Sequence, residues 1–566
     1  MESLSVLRLY CATALLKALL VRAPYSTDLL VHMHWKDLTT RYPVRLWYTA
    51  ATGPPYLDYP PLFAYLEWLL GQLAHWLAIP LEPKAGHVLV ITLAFMRFTV
   101  IVLDAVLFLG MRPWSSLAER RLVSSSPATR ASEQMLWVVS HPALWFIDHV
   151  HFQYNGLVLG AVLYSLGALF AETLAEQRRM PLSRWRRWRA CAAFLLALGL
   201  KHTTALSIAP IVMLCLWQQQ IWKDGAVVAF GLCWLLLMLG VPFGGIDWRA
   251  LYARLFPLKE RGLLHAYWAP NAYALLAAVD KIAVRLWSLI QARLVWLTSP
   301  SFGVSSGRAS QPRSRISNSA GLVETAGGGF ALFPEWTPQL AAICTLVAMG
   351  PSLIALMRLF REQRDHAGPG ATRSTSRQQT QSLRRGYECL SPASAQTALS
   401  MFLFGWHVHE KALILPTFLT GLALGPRHPV AALLSTACSL AMFPLVSAPA
   451  MRLVRLALIL WHWLYFAPLP IWPQSRSWLM VYCYDAIGLL LSEVVTFWRG
   501  WQRLGYPFMP LLLQSTYSAL AVVFTWGYLS AQLWRQMVAE PRIVPSKSIV
   551  TTGHSTALVW SESGAS

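Results

Sequence analysis

Long apolar stretches recur along the whole chain and constrain its fold more than any other feature. Inside lipid, only helices and closed barrels satisfy their backbone polar groups, and these stretches lack the alternation of barrel strands. A helix needs about 20 apolar residues to cross a bilayer, so we predict an all-α, polytopic membrane protein with about fourteen crossings. The stretches cover residues 4–23, 89–110, 135–149, 156–174, 190–201, 205–222, 226–243, 337–360, 396–408, 412–425, 429–447, 452–470, 479–497 and 508–533.

The composition agrees with a membrane protein and argues against other classes. Of the 566 residues, 55% are hydrophobic and 13% are charged, whereas soluble domains carry about a quarter charged residues. The formal net charge of +21 does not indicate nucleic acid as a partner, because the arginines lie in short blocks between apolar stretches, as the positive-inside rule expects. The cysteines include no Cys-x-x-Cys pair, which disfavours a disulfide framework and a zinc site.

Arginine-rich loops mark one side of the predicted membrane. With the crossings above, residues 111–134, 175–189 and 361–395 fall on the same face, which we take as cytosolic. Both termini and the polar tail 540–566 fall there too. Residues 361–395 are also rich in Ser, Gln and Gly, a composition typical of disorder.

The opposite face collects the polar segments that carry chemistry. They are the first loop 24–88, the motif DHVHFQYNG at 148–156, KHTT at 201–204, the long segment 244–336 and HVHEK at 407–411. If they converge, they form a single site within one domain that spans residues 1–566.

Asp28 lies just beyond the first apolar stretch, where a carboxylate can ionise and still reach a group at the membrane surface. Two interpretations fit its position. It can be a general base for a sugar hydroxyl, or it can cap a following helix, because STD before apolar residues is typical of a helix N-terminus. Asp58 and Tyr59 precede two prolines, which indicates a helix start near Leu62, and Asp58 is the second candidate base.

The motif DHVHFQYNG places His151, Gln153 and Asn155 at a predicted membrane edge. A zinc site is disfavoured, because the histidine spacing differs from HExxH and no cysteine lies nearby. Neutral amides beside aromatic rings suit a hydroxyl-rich ligand. A sugar-binding site and a loop that only packs the helix ends are equally good interpretations.

HVHEK places two histidines, an acid and a lysine between apolar stretches. Ionisable groups at membrane depth are costly and usually functional. Lys411, with His407 or His409, can hold a phosphate group; alternatively, Lys411 only neutralises Glu410.

A second basic group, in the segment 244–336, can also bind phosphate. It comprises Arg254, Lys259, Arg261 and His265, and a plain charge cluster at the membrane surface explains it equally well. No glycine-rich phosphate loop, Rossmann glycine pattern or Asp-x-Asp pair occurs in the sequence. We therefore expect no nucleotide-sugar donor, no cofactor and no metal.

These motifs together resemble the dolichyl-phosphate-glucose-dependent glucosyltransferases of the endoplasmic reticulum, which have the GT-C fold. The matching segments, in family order over nearly the whole chain, are STDLLVHMHW, LDYPPLFAYLEW, DHVHFQYNG, LKH, RLFPLKERGLLHAYWAPN, FGWHVHEKA and YPFMPLLL. HAYWAPN and WHVHEK resemble the branch that adds the second glucose to the lipid-linked oligosaccharide. The alternatives are the branch that adds the first glucose and, outside the family, a lipid or sugar transporter.

The resemblance implies an endoplasmic-reticulum membrane enzyme with a lumenal active site. Its implied partners are dolichyl-phosphate-glucose, the acceptor Glc1Man9GlcNAc2-diphosphodolichol and membrane lipid, and the implied product has an α-1,3 linkage formed with inversion. The resemblance also implies that Asp28 is the base and that His409, Glu410 and Lys411 lie near the donor phosphate. One position departs from the family, which usually has a second acid two residues after the aspartate, where this chain has Leu30.

Overall fold

A computed structural model gives the fold of the chain. It describes all residues except 1–2, 51–54, 84–86, 120–126, 178–182, 221–223, 239, 241–243, 259–260, 265–268, 299–332, 335, 368–375, 469–474, 496–497, 499, 504–508 and 539–566. The predicted all-α class is confirmed, because the described residues form helices and loops and no β-strand.

The first half of the chain contains the helices that carry most of the polar motifs. They are α1 (Ser3–Ala18), α2 (Thr27–Arg41), α3 (Pro61–Trp76), α4 (Val90–Leu103), α5 (Ala105–Glu119), α6 (Pro127–Val139), α7 (Pro142–Leu144), α8 (Asn155–Gln177), α9 (Arg184–Leu200), α10 (His202–Leu206), α11 (Ala209–Gln218), α12 (Gly225–Met238), α13 (Trp248–Leu255) and α14 (Ala272–Thr298). A π-helix, Trp145–Phe152, lies between α7 and α8.

The second half adds the long helices that complete the membrane-embedded body. They are α15 (Pro338–Ala367), α16 (Ser376–Phe404), α17 (Ile414–Leu424), α18 (Pro429–Ala441), α19 (Arg452–Phe466), α20 (Arg476–Leu490), α21 (Gly500–Arg503) and α22 (Met509–Val538). A short 3₁₀ helix, Glu410–Leu413, leads into α17.

Five helical segments are long and apolar enough to cross a membrane, within the described part of the chain: Val90–Leu117, Asn155–Ala175, Pro338–Asp365, Arg476–Val494 and Met509–Val538. Other apolar stretches form shorter helices, such as α11 and α18. The protein is therefore a helical membrane protein, and the number of fourteen crossings stays a prediction.

Local sequence explains where several helices begin. Proline is tolerated in the first helical turn because its missing N–H has no helical partner there. The helix predicted near Leu62 accordingly starts at Pro61, with Pro60 as its N-cap. Farther along the chain, the Asp247 carboxylate accepts hydrogen bonds from the first backbone N–H groups of α13.

The predicted disorder of residues 361–395 is wrong for the residues that the structure describes. Helix α15 extends to Ala367, and α16 begins at Ser376. Ion pairs stabilise the facing ends of α15 and α16. Glu362 of α15 pairs with Arg358, one turn earlier in the same helix, and with Arg385 of α16. A composition rich in Ser, Gln and Arg thus remains compatible with helix when its charges pair.

Helices α5 and α8 cross closely, and this crossing places the start of α8. A Cβ atom added at Gly110 would lie 2.3 Å from the Gly160 carbonyl oxygen, and one added at Gly160 would lie 2.4 Å from the Val106 oxygen. Small residues allow this close approach of helix backbones. Asn155, the first residue of α8, lies five residues before this crossing.

Candidate active site

Helix α2 presents Asp28 from its first turn. Ser26 is the N-cap residue: its hydroxyl oxygen accepts a hydrogen bond from the Asp28 backbone N–H at 3.1 Å and donates to the carbonyl of His151. The capping role considered for Asp28 therefore belongs to Ser26. The Asp28 carboxylate is available for other contacts.

Three side chains converge on one oxygen of Asp28. Lys411 Nζ and Gln153 Nε2 each lie 2.7 Å from Oδ2, and His151 Nε2 lies 3.2 Å from it. Among the described residues, none hydrogen-bonds the other oxygen, Oδ1, and the Asp28 side chain is 25% exposed. Oδ1 is thus the oxygen that a bound hydroxyl can reach.

The charge state of Asp28 follows from these contacts. Burial alone would raise its pKa, but the Lys411 ammonium and His151 outweigh burial and hold the pKa well below its usual range. The carboxylate is therefore ionised at neutral pH. A general base has to be in this state before it can accept a proton.

The segment 148–156 turns sharply to bring its side chains to Asp28. Phe152 has φ of 84°, a left-handed conformation that non-glycine residues rarely adopt and that recurs at functional sites. It is the last residue of the π-helix and precedes Gln153, whose extended backbone leads into α8. Asp148 accepts hydrogen bonds from the Asn155 side chain at 2.8 Å and from the Gly156 N–H at 2.7 Å, which fixes this turn.

The HVHEK segment contributes Lys411, which reaches Asp28 over 383 residues of sequence. Lys411 Nζ also lies 3.1 Å from His151 Nε2. The alternative in which Lys411 only neutralises Glu410 does not hold, because the Lys411 ammonium pairs with Asp28. Glu410 is buried in the adjoining 3₁₀ helix.

The two histidines of HVHEK face a different partner. His407 has φ of 51°, and its Nδ1 lies 2.7 Å from the carbonyl oxygen of Gly262. The His409 ring meets the His407 ring edge-on, with the ring centres 5.4 Å apart. The histidine that contacts Asp28 is His151.

The second candidate base, Asp58, accepts a hydrogen bond from Arg261 Nη2 at 2.8 Å. This ion pair joins the first loop to the segment 244–336. Arg254 stacks on the ring of Tyr56, with its guanidinium carbon 3.6 Å from the ring centre. Both arginines expected near a phosphate are therefore engaged with the first loop, while His265 and Lys259 of that group lie outside the described residues.

Lys201 adjoins this cluster; its segment KHTT was expected on this face, but Lys201 itself was not predicted as a site residue. It lies in the break between α9 and α10, with Nζ 2.9 Å from Asn155 Oδ1 and 3.3 Å from Gln153 Oε1. Its ammonium also lies 5.5 Å from the centre of the Tyr59 ring. The sequence signal that could have indicated Lys201 is a single lysine between two apolar helices. Burying such a charge at membrane depth is costly, so it usually marks a functional residue.

Segments 148–156 and 407–411 thus contact Asp28 directly, and Lys201 of the segment 201–204 contacts the amides beside it. The segment 244–336 contacts the first loop at Asp58. The cluster holds one ionised carboxylate, two ammonium groups, a histidine and two amides. Among the described residues, no group of three or more His, Cys, Asp or Glu side chains is arranged to hold a metal ion. An ionised carboxylate next to two ammonium groups suits the abstraction of a proton beside an anionic group.

Comparison with known proteins assigns the family. The model of the ALG6, ALG8 glycosyltransferase family matches residues 13–529, which is nearly the whole chain. The chain belongs to the ALG6, ALG8 glycosyltransferase family. It is therefore an enzyme, a glycosyltransferase, and the resemblance found in its motifs is confirmed.

Individual relatives of this glycosyltransferase match over similar lengths. A Drosophila melanogaster protein named probable dolichyl pyrophosphate Glc1Man9GlcNAc2 alpha-1,3-glucosyltransferase is 34% identical, over 90% of this chain and 91% of its own length. The mouse protein named dolichyl pyrophosphate Glc1Man9GlcNAc2 alpha-1,3-glucosyltransferase is 31% identical, over 92% of this chain and 94% of its own. The Gibberella zeae protein of that name is also 31% identical, over 91% and 96%.

Proposed function

We propose that this glycosyltransferase transfers glucose from dolichyl-phosphate-glucose to Glc1Man9GlcNAc2-diphosphodolichol, forming an α-1,3 linkage. The names of its relatives support the acceptor, because they specify Glc1Man9GlcNAc2 and an alpha-1,3-glucosyltransferase. The proposal includes a GT-C-type fold of about fourteen membrane-spanning helices. It places the enzyme in the endoplasmic-reticulum membrane with its active site on the lumenal face.

Asp28 is the general base in this proposal, and the open Oδ1 beside an anchored Oδ2 is the observation that carries it. Oδ1 accepts the proton of the acceptor 3-hydroxyl while that oxygen attacks the anomeric carbon of the donor glucose. The bond between the anomeric carbon and the phosphate oxygen breaks, and dolichyl phosphate leaves with the electron pair. The donor sugar is β-linked, so attack from the opposite face gives the α product.

One carboxylate suffices for this reaction. The departing phosphate is a stable anion at neutral pH and needs no proton, whereas a glycosidase protonates its leaving group with a second acid. This difference is consistent with Leu30 in place of the second acid that the family usually has. Asp58, paired with Arg261, then serves to join two loops.

Lys411 has a double role in the proposed mechanism. An ammonium carries three protons, and Lys411 donates one of them to Asp28 Oδ2. Another can reach a phosphate oxygen of the donor and stabilise the charge that develops as the bond breaks. The anionic phosphate also offsets the Lys411 charge beside Asp28, which raises the pKa of the base toward the range where it accepts a proton.

A transfer assay with purified protein tests the proposed function. The enzyme receives dolichyl-phosphate-glucose with either Man9GlcNAc2 or Glc1Man9GlcNAc2 lipid-linked acceptor, with and without EDTA. We expect transfer to Glc1Man9GlcNAc2 alone, insensitive to EDTA. Transfer to Man9GlcNAc2 would instead assign the first-glucose reaction, and loss of transfer in EDTA would contradict the metal-free mechanism.

The base is tested in the same assay with Asp28→Asn. General base catalysis contributes about 10²–10⁴-fold, so we expect kcat to fall by at least about 100-fold in a protein that still folds. Asp58→Asn is the matched control, because Asp58 pairs with Arg261 rather than with the donor-binding cluster. Near-normal turnover of Asp28→Asn, together with an inactive Asp58→Asn, would assign the base to Asp58.

A further inference from the structure

Lys201 differs from the other buried lysines in its partners. Lys17 pairs with Asp104 at 2.6 Å, Lys36 with Glu67 at 2.5 Å and Lys411 with Asp28 at 2.7 Å. In the described part of the chain, Lys201 Nζ instead contacts only the side-chain oxygens of two neutral amides and a tyrosine ring. A partly buried ammonium without a carboxylate partner is costly, so its contacts with the two amides call for a functional explanation.

The Lys201 ammonium is compatible with only one orientation of each amide. A lysine ammonium only donates hydrogen bonds, so Gln153 must turn Oε1 toward it and Nε2 away from it. That Nε2 is the group that donates to Asp28 Oδ2. Asn155 likewise turns Oδ1 toward Lys201, and its Nδ2 donates to Asp148.

We propose that Lys201 is a positioning residue that orients Gln153 and Asn155, so that Gln153 donates to the catalytic carboxylate and leaves Asp28 Oδ1 free for the acceptor hydroxyl. This inference rests on the proposed role of Asp28 as the base. With the Gln153 amide reversed, its oxygen would face the Asp28 carboxylate, and two acceptors would repel each other. Asn155 Nδ2 also donates to Gln153 Oε1, at 3.1 Å, so loss of Lys201 weakens the orientation without abolishing it.

Lys201→Met tests the proposal through kcat and KM. Lys201→Met removes both hydrogen bonds, and since one charge-assisted hydrogen bond is worth about tenfold or more, we expect kcat to fall by at least about tenfold. We expect KM for dolichyl-phosphate-glucose to change less than kcat. Lys281→Met, on the exposed face of α14, is the matched control and keeps normal kinetics. Unchanged kcat in Lys201→Met, or a KM that accounts for the whole loss, overturns the proposal.

Lys201→Gln separates the effect of hydrogen-bond donation from the effect of the positive charge. It also provides a second neutral variant if Lys201→Met fails to fold. A glutamine amide can donate to one of the two oxygens but carries no charge. If Lys201 orients the amides, Lys201→Gln retains more kcat than Lys201→Met, and Lys201→Arg retains more still. If Lys201 binds the donor phosphate directly, the two neutral variants lose activity alike, which overturns the proposal.

A double-mutant cycle with Gln153→Met completes the test. If Lys201 acts through Gln153, the double variant is no slower than Gln153→Met alone, because Gln153→Met has already removed the amide that Lys201 orients. If the two losses multiply, Lys201 acts independently and the proposal fails. Asp28→Asn runs beside these variants: an active Asp28→Asn refutes the proposed base, whereas an inactive one leaves the Lys201 results to decide this inference alone.

Discussion

At the scale of single residues, the site depends on the two unequal oxygens of Asp28. Lys411 and Gln153 donate to Oδ2 and an imidazole nitrogen of His151 lies 3.2 Å from it, whereas no described residue hydrogen-bonds Oδ1. The contacts to Oδ2 hold the carboxylate in one orientation. An oriented base reacts faster because fewer arrangements have to be sampled before proton transfer.

The pH profile of Lys411→Met tests the electrostatic part of this arrangement. In the native protein Lys411 and His151 keep the pKa of Asp28 below its usual range, so Asp28 is ionised throughout about pH 5 to 7. Without Lys411, burial raises that pKa, and the ionised fraction falls as the pH is lowered. We expect the relative rate to decline toward acid pH in Lys411→Met but not in the native enzyme, measured as initial rates in a buffer series.

Lys411→Arg is the control for that profile, because it keeps the positive charge beside Asp28. Its relative rate is expected to follow the native pH dependence even where its absolute rate is lower. Native-like pH dependence in Lys411→Met would show that Lys411 does not set the protonation of Asp28.

At the scale of elements, helices α2 and α3 are joined by buried charges one to two turns beyond Asp28. Lys36 Nζ donates to Glu67 Oε2 at 2.5 Å, and His32 Nδ1 lies 2.6 Å from Glu67 Oε1. The rings of Trp35 and Phe63 pack around His32. This cluster joins α2, which carries Asp28, to α3, which begins at the last proline of the DYPP motif.

Glu67→Gln is expected to destabilise the protein strongly. Removing one partner of a buried ion pair leaves the other charge uncompensated, at a cost of about 3–5 kcal/mol. The double variant Lys36→Met/Glu67→Leu removes both charges and should recover most of the loss, as measured by thermal unfolding in detergent. Glu82→Gln, which breaks an exposed pair with Arg41, should change the unfolding temperature little; an equal effect of the two single variants would contradict the assigned role.

The crossing of α5 and α8 gives a second prediction at this scale. Gly110→Ala places a methyl group 2.3 Å from the Gly160 carbonyl oxygen, so the helices must separate. We expect a lower unfolding temperature and reduced transfer activity, because α8 begins at the site residue Asn155. Gly350→Ala in α15 meets nothing within 4 Å and should be neutral or slightly stabilising, since alanine favours helix over glycine.

At the scale of the whole molecule, the placement of the site relative to the membrane remains a prediction. The charge pattern places the segment 244–336 on the lumenal side and the segment 361–395 on the cytosolic side. The sequence contains no Asn-x-Ser/Thr acceptor, so an inserted acceptor is a clean reporter of sidedness.

A glycosylation acceptor inserted within residues 300–329 should be modified in microsomes, whereas one inserted within residues 368–375 should not. Modification occurs only in the lumen, so a shift in electrophoretic mobility removed by endoglycosidase reports the side directly. Modification of both insertions, or of the second alone, would mean that the predicted crossings between them are miscounted.

The sequence alone was sufficient for the properties that depend on local patterns. Apolar length and charge placement predicted a helical membrane protein, and the order of the motifs indicated the family. The same motifs pointed to Asp28, Gln153, Asn155 and Lys411 as site residues. The helical membrane class is confirmed because hydrophobic transfer and helix formation act over one or two turns of chain, whereas the roles of these site residues stay predictions.

Only the tertiary structure decided how the site residues pair. Lys411 contacts Asp28 rather than merely neutralising Glu410, Arg261 contacts Asp58, and Lys201 contacts the oxygens of two amides. Such contacts join residues separated by up to 383 positions. These contacts depend on which helix ends meet after packing. The local periodicity of the sequence does not indicate which residues so far apart in the chain become neighbours.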